Sequence, residues 1–142
     1  MLTLAIIKPD AVRAGTAGKI LAHLEAAGFV VRAARLVQLT PRQAEAFYAV
    51  HRARPFFGPL VRFMTSGPVL ALALERADAV ATLRDVIGAT DPREAKAGSI
   101  RRLYAESKER NAIHASDSAE TAARELAFFF TERELLELGA AP

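Results

Sequence analysis

A chain of 142 residues accommodates one ordinary domain and excludes two, and its 51% hydrophobic and 25% charged residues exclude a mostly disordered chain. The absence of cysteine excludes a disulfide framework, a thiolate nucleophile and a cysteine-built zinc site, and three histidines are too few to favour an all-histidine metal site. A formal charge of +3 suits an anionic ligand but is too small to argue nucleic-acid binding.

Leu2 to Ile7 is a nearly continuous apolar run, read as a buried strand, and Lys8-Pro9-Asp10 ends it because proline cannot continue a central ladder. No basic segment precedes this run, and it is too short for a signal peptide or a membrane span, so a soluble cytoplasmic protein is expected. Ile20, Leu21, Leu24 and Ala27 fall at helical spacing with Gly28 as the stop. Gly18-Lys19 resembles the end of a phosphate-binding loop, but Ile20 stands where that motif needs Ser or Thr. Phe29 to Leu39 is a second strand. Thr40-Pro41-Arg42-Gln43 is a helix start, with Thr40 as N-cap and Gln43 as its capping-box partner. Ala44, Phe47, Tyr48 and His51 then share a face. A short helix is expected over Gly58 to Met64, a break at Ser66-Gly67-Pro68, a third strand over Val69 to Leu74, and a helix from Ala79 closed by Gly88.

Ala89 to Asn111 loses periodicity and gains charge, as in a long functional loop. Asn111 to His114 is a short fourth strand. Asp117 or Ser118 caps a helix running through Phe130, and Thr131 with Glu134 starts a last helix that stops at Gly139. The order of four strands and intervening helices fits a doubly wound parallel sheet or a ferredoxin-like antiparallel one. Because only two strands look buried on both faces, the antiparallel option has the edge.

Three groups of side chains carry candidate chemistry. His114 ends an apolar strand just before a run of small polar residues that opens a helix, a setting suited to anions. It is either a nucleophile toward a phosphoryl group or an ordinary hydrogen-bonded core histidine. Glu125, two to three turns into the next helix, either turns back to orient that imidazole or is a solvated helix charge. Lys8 emerges at a strand end, and Arg84 and Arg101 flank the loop holding Thr90; together the three would neutralise a polyphosphate if the fold converges them. Phe56 offers a ring to stack on a base, or a place in the core.

The segment Asn111-Ala112-Ile113-His114-Ala115-Ser116-Asp117-Ser118 resembles the active-site signature of nucleoside diphosphate kinases. The likeness extends through Ile7 to Val12, Tyr48, His51, Arg54 to Phe57, Met64 to Val69, Gly88 to Pro92 and Ser99 to Arg101, and covers roughly Leu2 to Leu136. It implies one α+β domain over residues 1–142, ferredoxin-like, with helices packed on a four-stranded antiparallel sheet. It implies a ping-pong transfer of the γ-phosphoryl of ATP or another nucleoside triphosphate to a nucleoside diphosphate. Mg²⁺ would be held mainly by the nucleotide phosphates rather than by a protein-built metal site. By position, His114 would be phosphorylated, with Glu125 and Ser116 assisting it and Tyr48 beside it. Lys8, Arg84, Thr90 and Arg101 would bind phosphates, Asn111 and Lys8 the ribose, and Phe56 with Leu60 the base. A homo-oligomer is implied, and the short stretch after Leu138 leaves tetramer and hexamer open. No nucleic acid or membrane partner is implied.

Two departures stand out. Ala115 follows the histidine where the family usually has glycine; if that position needs a left-handed backbone, the alternative is a catalytically impaired nucleotide-binding or regulatory relative. Arg102 stands where many members carry a small residue, and the plain expectation is a side chain extending into solvent.

Overall fold

The computed structural model describes residues 1–137. Four strands, β1 (Leu2–Ile7), β2 (Val30–Val37), β3 (Val69–Glu75) and β4 (Ile113–Ala115), form one sheet in the order β2-β3-β1-β4, antiparallel at every pairing. The two apolar runs, β1 and β3, lie in the centre and are buried on both faces, which is why they carry almost no polar alternation. β2, with its interspersed arginines, is an edge strand.

Strand alternation sorts the side chains into two cores. Ala5 and Ile7 of β1 and Leu72 and Leu74 of β3 face helices α2 (Ala17–Ala26), α5 (Ala79–Ile87) and α6 (Ile100–Tyr104) through Ile20, Leu24, Leu83, Ile87 and Ile100. Leu4 and Ile6, with Ala71 and Ala73, face α3 (Pro41–Phe47), α4 (Phe57–Met64) and α7 (Ala119–Phe129) through Ala44, Phe47, Met64 and Leu126. A five-residue helix, α1 (Pro9–Arg13), follows β1, and α8 (Glu132–Glu137) follows α7. Among the described residues no helix is long and apolar enough to cross a membrane.

Local chemistry explains the helix starts. Thr40 and Gln43 close a capping box through paired 2.9 and 3.1 Å hydrogen bonds. Ser118, not Asp117, caps α7, with Thr121 as its reciprocal partner. Each such cap is worth about 1 kcal/mol. Gly28 and Gly88 take positive φ after α2 and α5, as their role at helix ends requires. Glu134 N donates to Thr131 Oγ1 at the start of α8. The expected stop at Gly139 lies outside the described residues.

The structure departs from the sequence pattern in three places. Lys8-Pro9-Asp10 ends β1 but also starts α1, with proline at the first helical position, where its missing N–H costs nothing. The 89–111 segment is not wholly loop: Ser99 caps α6 by accepting from Arg102 N, and five residues are too few to show a helical period. α3 ends at Phe47, so His51 sits on a separate 3₁₀ turn (Ala49–His51) rather than on the face of Ala44 and Phe47.

Candidate active site

β4 pairs with β1 so that His114 lies opposite Ile6. The alternation that sends Ile113 and Ala115 into the first core sends His114 to the second face, beside α3 and α7. There its ring meets Phe47 edge-on at 5.6 Å and Tyr48 at 6.1 Å between centroids. α7 passes over this face and turns Glu125 inward, leaving that residue only 8% exposed.

Glu125 Oε1 lies 2.8 Å from His114 Nε2 and accepts from Ser116 Oγ, also at 2.8 Å. Burial raises the carboxyl's pKa, but the hydrogen bonds from His114 and Ser116 outweigh it, and the net displacement is downward. An ionised carboxylate only accepts, so the imidazole proton resides on Nε2 and the Nδ1 lone pair is left outward. Nδ1 makes no hydrogen bond among the described residues. Burial, assisted by Lys8 and Arg101, lowers the His114 pKa against the opposing pull of Glu125. The ring is therefore neutral and nucleophilic at neutral pH. Tyr48 stays a neutral phenol, because burial and the Glu125 charge push its pKa up. Its hydroxyl finds no partner among the described residues.

The cationic side chains converge around β4, where two of them meet its backbone carbonyls. Arg101 donates to Ile113 O at 2.7 Å and to Gly88 O at 3.1 Å, while Arg84 reaches Ala115 O at 3.4 Å. The two guanidiniums thus hold the carbonyls on either side of His114. Both also line a cavity of about 540 Å³ whose walls include Thr90, Asp91, Glu94 and Lys108. Arg101 remains cationic at neutral pH, although burial and then Arg84 lower its pKa to about 10. Lys8 Nζ donates to Asn111 Oδ1 at 2.7 Å, and Asn111 Nδ2 to Thr90 O at 3.3 Å. One polar network therefore links Lys8, Asn111 and the cavity wall. Phe56 does not line this cavity; it is 48% exposed, with the His51 ring at 5.3 Å. Leu60, on α4, is half-buried against the second core.

The family model described as Nucleoside diphosphate kinase matches residues 2–135. The chain belongs to the nucleoside diphosphate kinase family. Its similarity to a nucleoside diphosphate kinase of Sorangium cellulosum (strain So ce56) is 56% identity over 133 residues, covering 94% of this chain and 92% of that one. A nucleoside diphosphate kinase of Acidiphilium cryptum (strain JF-5) is 55% identical over 134 residues, covering 94% and 96%. Among solved structures, the Aquifex aeolicus nucleoside diphosphate kinase superposes with a TM-score of 0.92 at 48% identity, covering 94% and 96%. A halophilic nucleoside diphosphate kinase from Halobacterium salinarum, solved in complex with CDP, gives 0.90 at 38% identity, covering 94% and 90%.

Against the usual family pattern, Ala115 carries no backbone penalty. It lies in β4, paired with Ala5, and is not among the positive-φ residues. The left-handed residue near His114 is Ala112, at φ 72°, within a three-residue turn closed by Ile113 N to Asn111 O at 2.8 Å. That conformation costs alanine about 1–2 kcal/mol. Ala115→Gly is accordingly expected to leave turnover near wild type and to lower stability by about 0.5–1 kcal/mol, read from denaturant midpoints. Arg102 does not simply extend into solvent either: it donates to Arg93 O at 3.1 Å and ties down the loop before α6. Sequence reasoning passed over Glu94 and Lys108 as cavity residues. Their only signal was the charge density of the 89–111 segment.

Lys8 supplies a pH-dependent handle. Burial, then Arg101, lowers its pKa to about 8, against an upward pull from Asp10. A polyphosphate bound beside it would stabilise the ammonium and raise that value in the complex. Below pH 8 the free and bound forms would both be charged and affinity is expected to be flat. Above it, binding would take up a proton, and affinity is expected to fall by up to about tenfold per pH unit. Calorimetric titrations with a nucleoside diphosphate at pH 7 and 9, in buffers of different ionisation enthalpy, measure both effects.

Proposed function

We propose that this chain transfers the γ-phosphoryl of a nucleoside triphosphate, ATP among them, to a nucleoside diphosphate through a phosphorylated His114. The observation that carries the reading is the Glu125–His114 pair at 2.8 Å, which holds a neutral imidazole with Nδ1 free, beside a cavity lined by Arg84 and Arg101. In the first half-reaction the Nδ1 lone pair forms an N–P bond to the γ-phosphorus. The bond from that phosphorus to the β,γ-bridging oxygen breaks, and the diphosphate leaves with the electron pair. In the second half-reaction a terminal β-phosphate oxygen of another diphosphate attacks the phosphorus, and the N–P bond breaks. The neutral ring is restored, because its proton never leaves Nε2.

Catalysis in this scheme is positioning and charge stabilisation. Arg84, Arg101 and Lys8 face the phosphates, with Thr90 beside them. Arg101 Nε, buried without a partner among the described residues, has an unspent N–H for a phosphate oxygen. Tyr48 has an unspent hydroxyl next to the imidazole. Asn111 and Lys8 meet the ribose, and the exposed Phe56 ring, with Leu60 behind it, offers a face that any base can stack on, so base selectivity is low. The CDP complex of the Halobacterium salinarum relative supports a nucleotide in this fold.

Mg²⁺ fits as an ion carried in on the phosphates. Among the described residues no three metal-binding side chains cluster to cage it, while Asp91 and Glu94 line the cavity and would meet its water shell. When bound it neutralises charge on the β- and γ-phosphate oxygens.

The reading is tested by incubating the protein with γ-labelled ATP and mapping the label. The expected product is a single modified residue, His114, whose label is lost in acid and kept in base. Label on a serine or threonine, or none in a protein that turns over, would contradict it.

A further inference from the structure

The residues just after β1 grip the residues just before His114. Lys8 N donates to Ala112 O at 2.8 Å, and Asp10 Oδ2 accepts from Ala112 N at 3.0 Å. Both backbone groups of Ala112 are therefore held from the 8–10 segment. Ala112 is fully buried and takes a left-handed conformation. An alanine does not rest there by preference, so the bonds around it must impose the turn. Asn111, just before Ala112, is the partner of the Lys8 ammonium, and His114 lies two residues after Ala112.

Asp10 is itself unusual. It is only 6% exposed, yet its second oxygen, Oδ1, is buried with no hydrogen-bond partner among the described residues. A carboxylate left half-bonded in the interior is costly for stability. It accepts one backbone N–H, and its charge favours the buried Lys8 ammonium; both of those tasks lead to the site.

We propose that Asp10 is a positioning residue for the phosphoryl transfer, clamping the left-handed turn at Ala112 so that Lys8, Asn111 and His114 keep their mutual placement. The inference rests on the proposed reaction at His114 and deepens it. Asp10 touches no reacting atom; it acts through the turn and through its charge. The groups that set the Lys8 charge are Arg101 from α6, which disfavours the ammonium, and Asp10 from α1, which favours it, and Lys8 in turn bears on His114 of β4.

The test compares wild type, Asp10→Ala and Asp10→Asn for kcat, KM and the pH profile of kcat/KM. Asp10→Ala removes clamp and charge, and kcat should fall about 10- to 100-fold with KM changed less than about threefold. Asp10→Asn keeps an oxygen for Ala112 N–H and should recover most of kcat at pH 7. Without the negative charge, its alkaline limb should move about one pH unit lower than in wild type. The limb shift remains readable even if the alanine variant does not fold. Wild-type kcat in Asp10→Ala, or an unmoved alkaline limb in Asp10→Asn, overturns the assignment. These outcomes leave the phosphohistidine reading standing, whereas a wild type that turns over without labelling His114 removes that reading itself.

Discussion

His114→Ala is expected to lower phosphoryl transfer by about 10⁴-fold or more, measured in a coupled assay with ATP and a second diphosphate. The size follows from what the side chain supplies. No other nucleophile stands in its place: the sequence has no cysteine, and the nearby Ser116 hydroxyl is spent on Glu125. The phenol of Tyr48 is held neutral by burial and by the same carboxylate. Nucleotide binding should survive, because Arg84, Arg101, Lys8 and the 540 Å³ cavity do not include the imidazole. A His114→Ala protein that binds a diphosphate with near wild-type affinity but does not turn over separates chemistry from binding.

Glu125→Ala carries the second-largest expected effect. One oxygen serves both His114 Nε2 and Ser116 Oγ, so the truncation strands two donors in a pocket closed by Phe47 and α7. The loss of tautomer and ring orientation should lower kcat by about 10²- to 10³-fold with little change in KM. The stranded donors should lower stability by about 1–3 kcal/mol. Glu125→Gln keeps an acceptor oxygen but not the charge, and should fall between wild type and alanine. Its acid limb should move to lower pH, because the carboxylate charge raises the His114 pKa against burial. If Glu125→Ala instead raised KM and spared kcat, the glutamate would be a binding group rather than an orienting one.

What could be read in the chain depended on how local the cause was. β1, the capping box at Thr40 and Gln43, and the glycine stops at Gly28 and Gly88 are set by residues next to one another, and their patterns are plain. The central placement of β1 and β3 followed from their unbroken apolar character. Glu125 was different: its neighbours on α7 look like any amphipathic helix, and only the packing of that helix over β4 turns it toward His114. The strained backbone lies at Ala112, three residues before the alanine that the family pattern brings into question. Nothing in an alanine announces a left-handed turn, since the bonds that hold it come from Lys8 and Asp10, about a hundred residues earlier. α1 and α6 carry no legible pattern because five residues make little more than one turn, too few for the apolar spacing to recur.

The central claim is that the phosphoryl group rests on the protein between two nucleotides. The most direct measurement is to phosphorylate the protein with ATP, strip it of all nucleotide, and add a diphosphate of another base. The account predicts a burst of the corresponding triphosphate, one per phosphorylated His114, with loss of the histidine label at the same rate. No triphosphate until ATP is restored would contradict it, and would place both nucleotides on the protein at once.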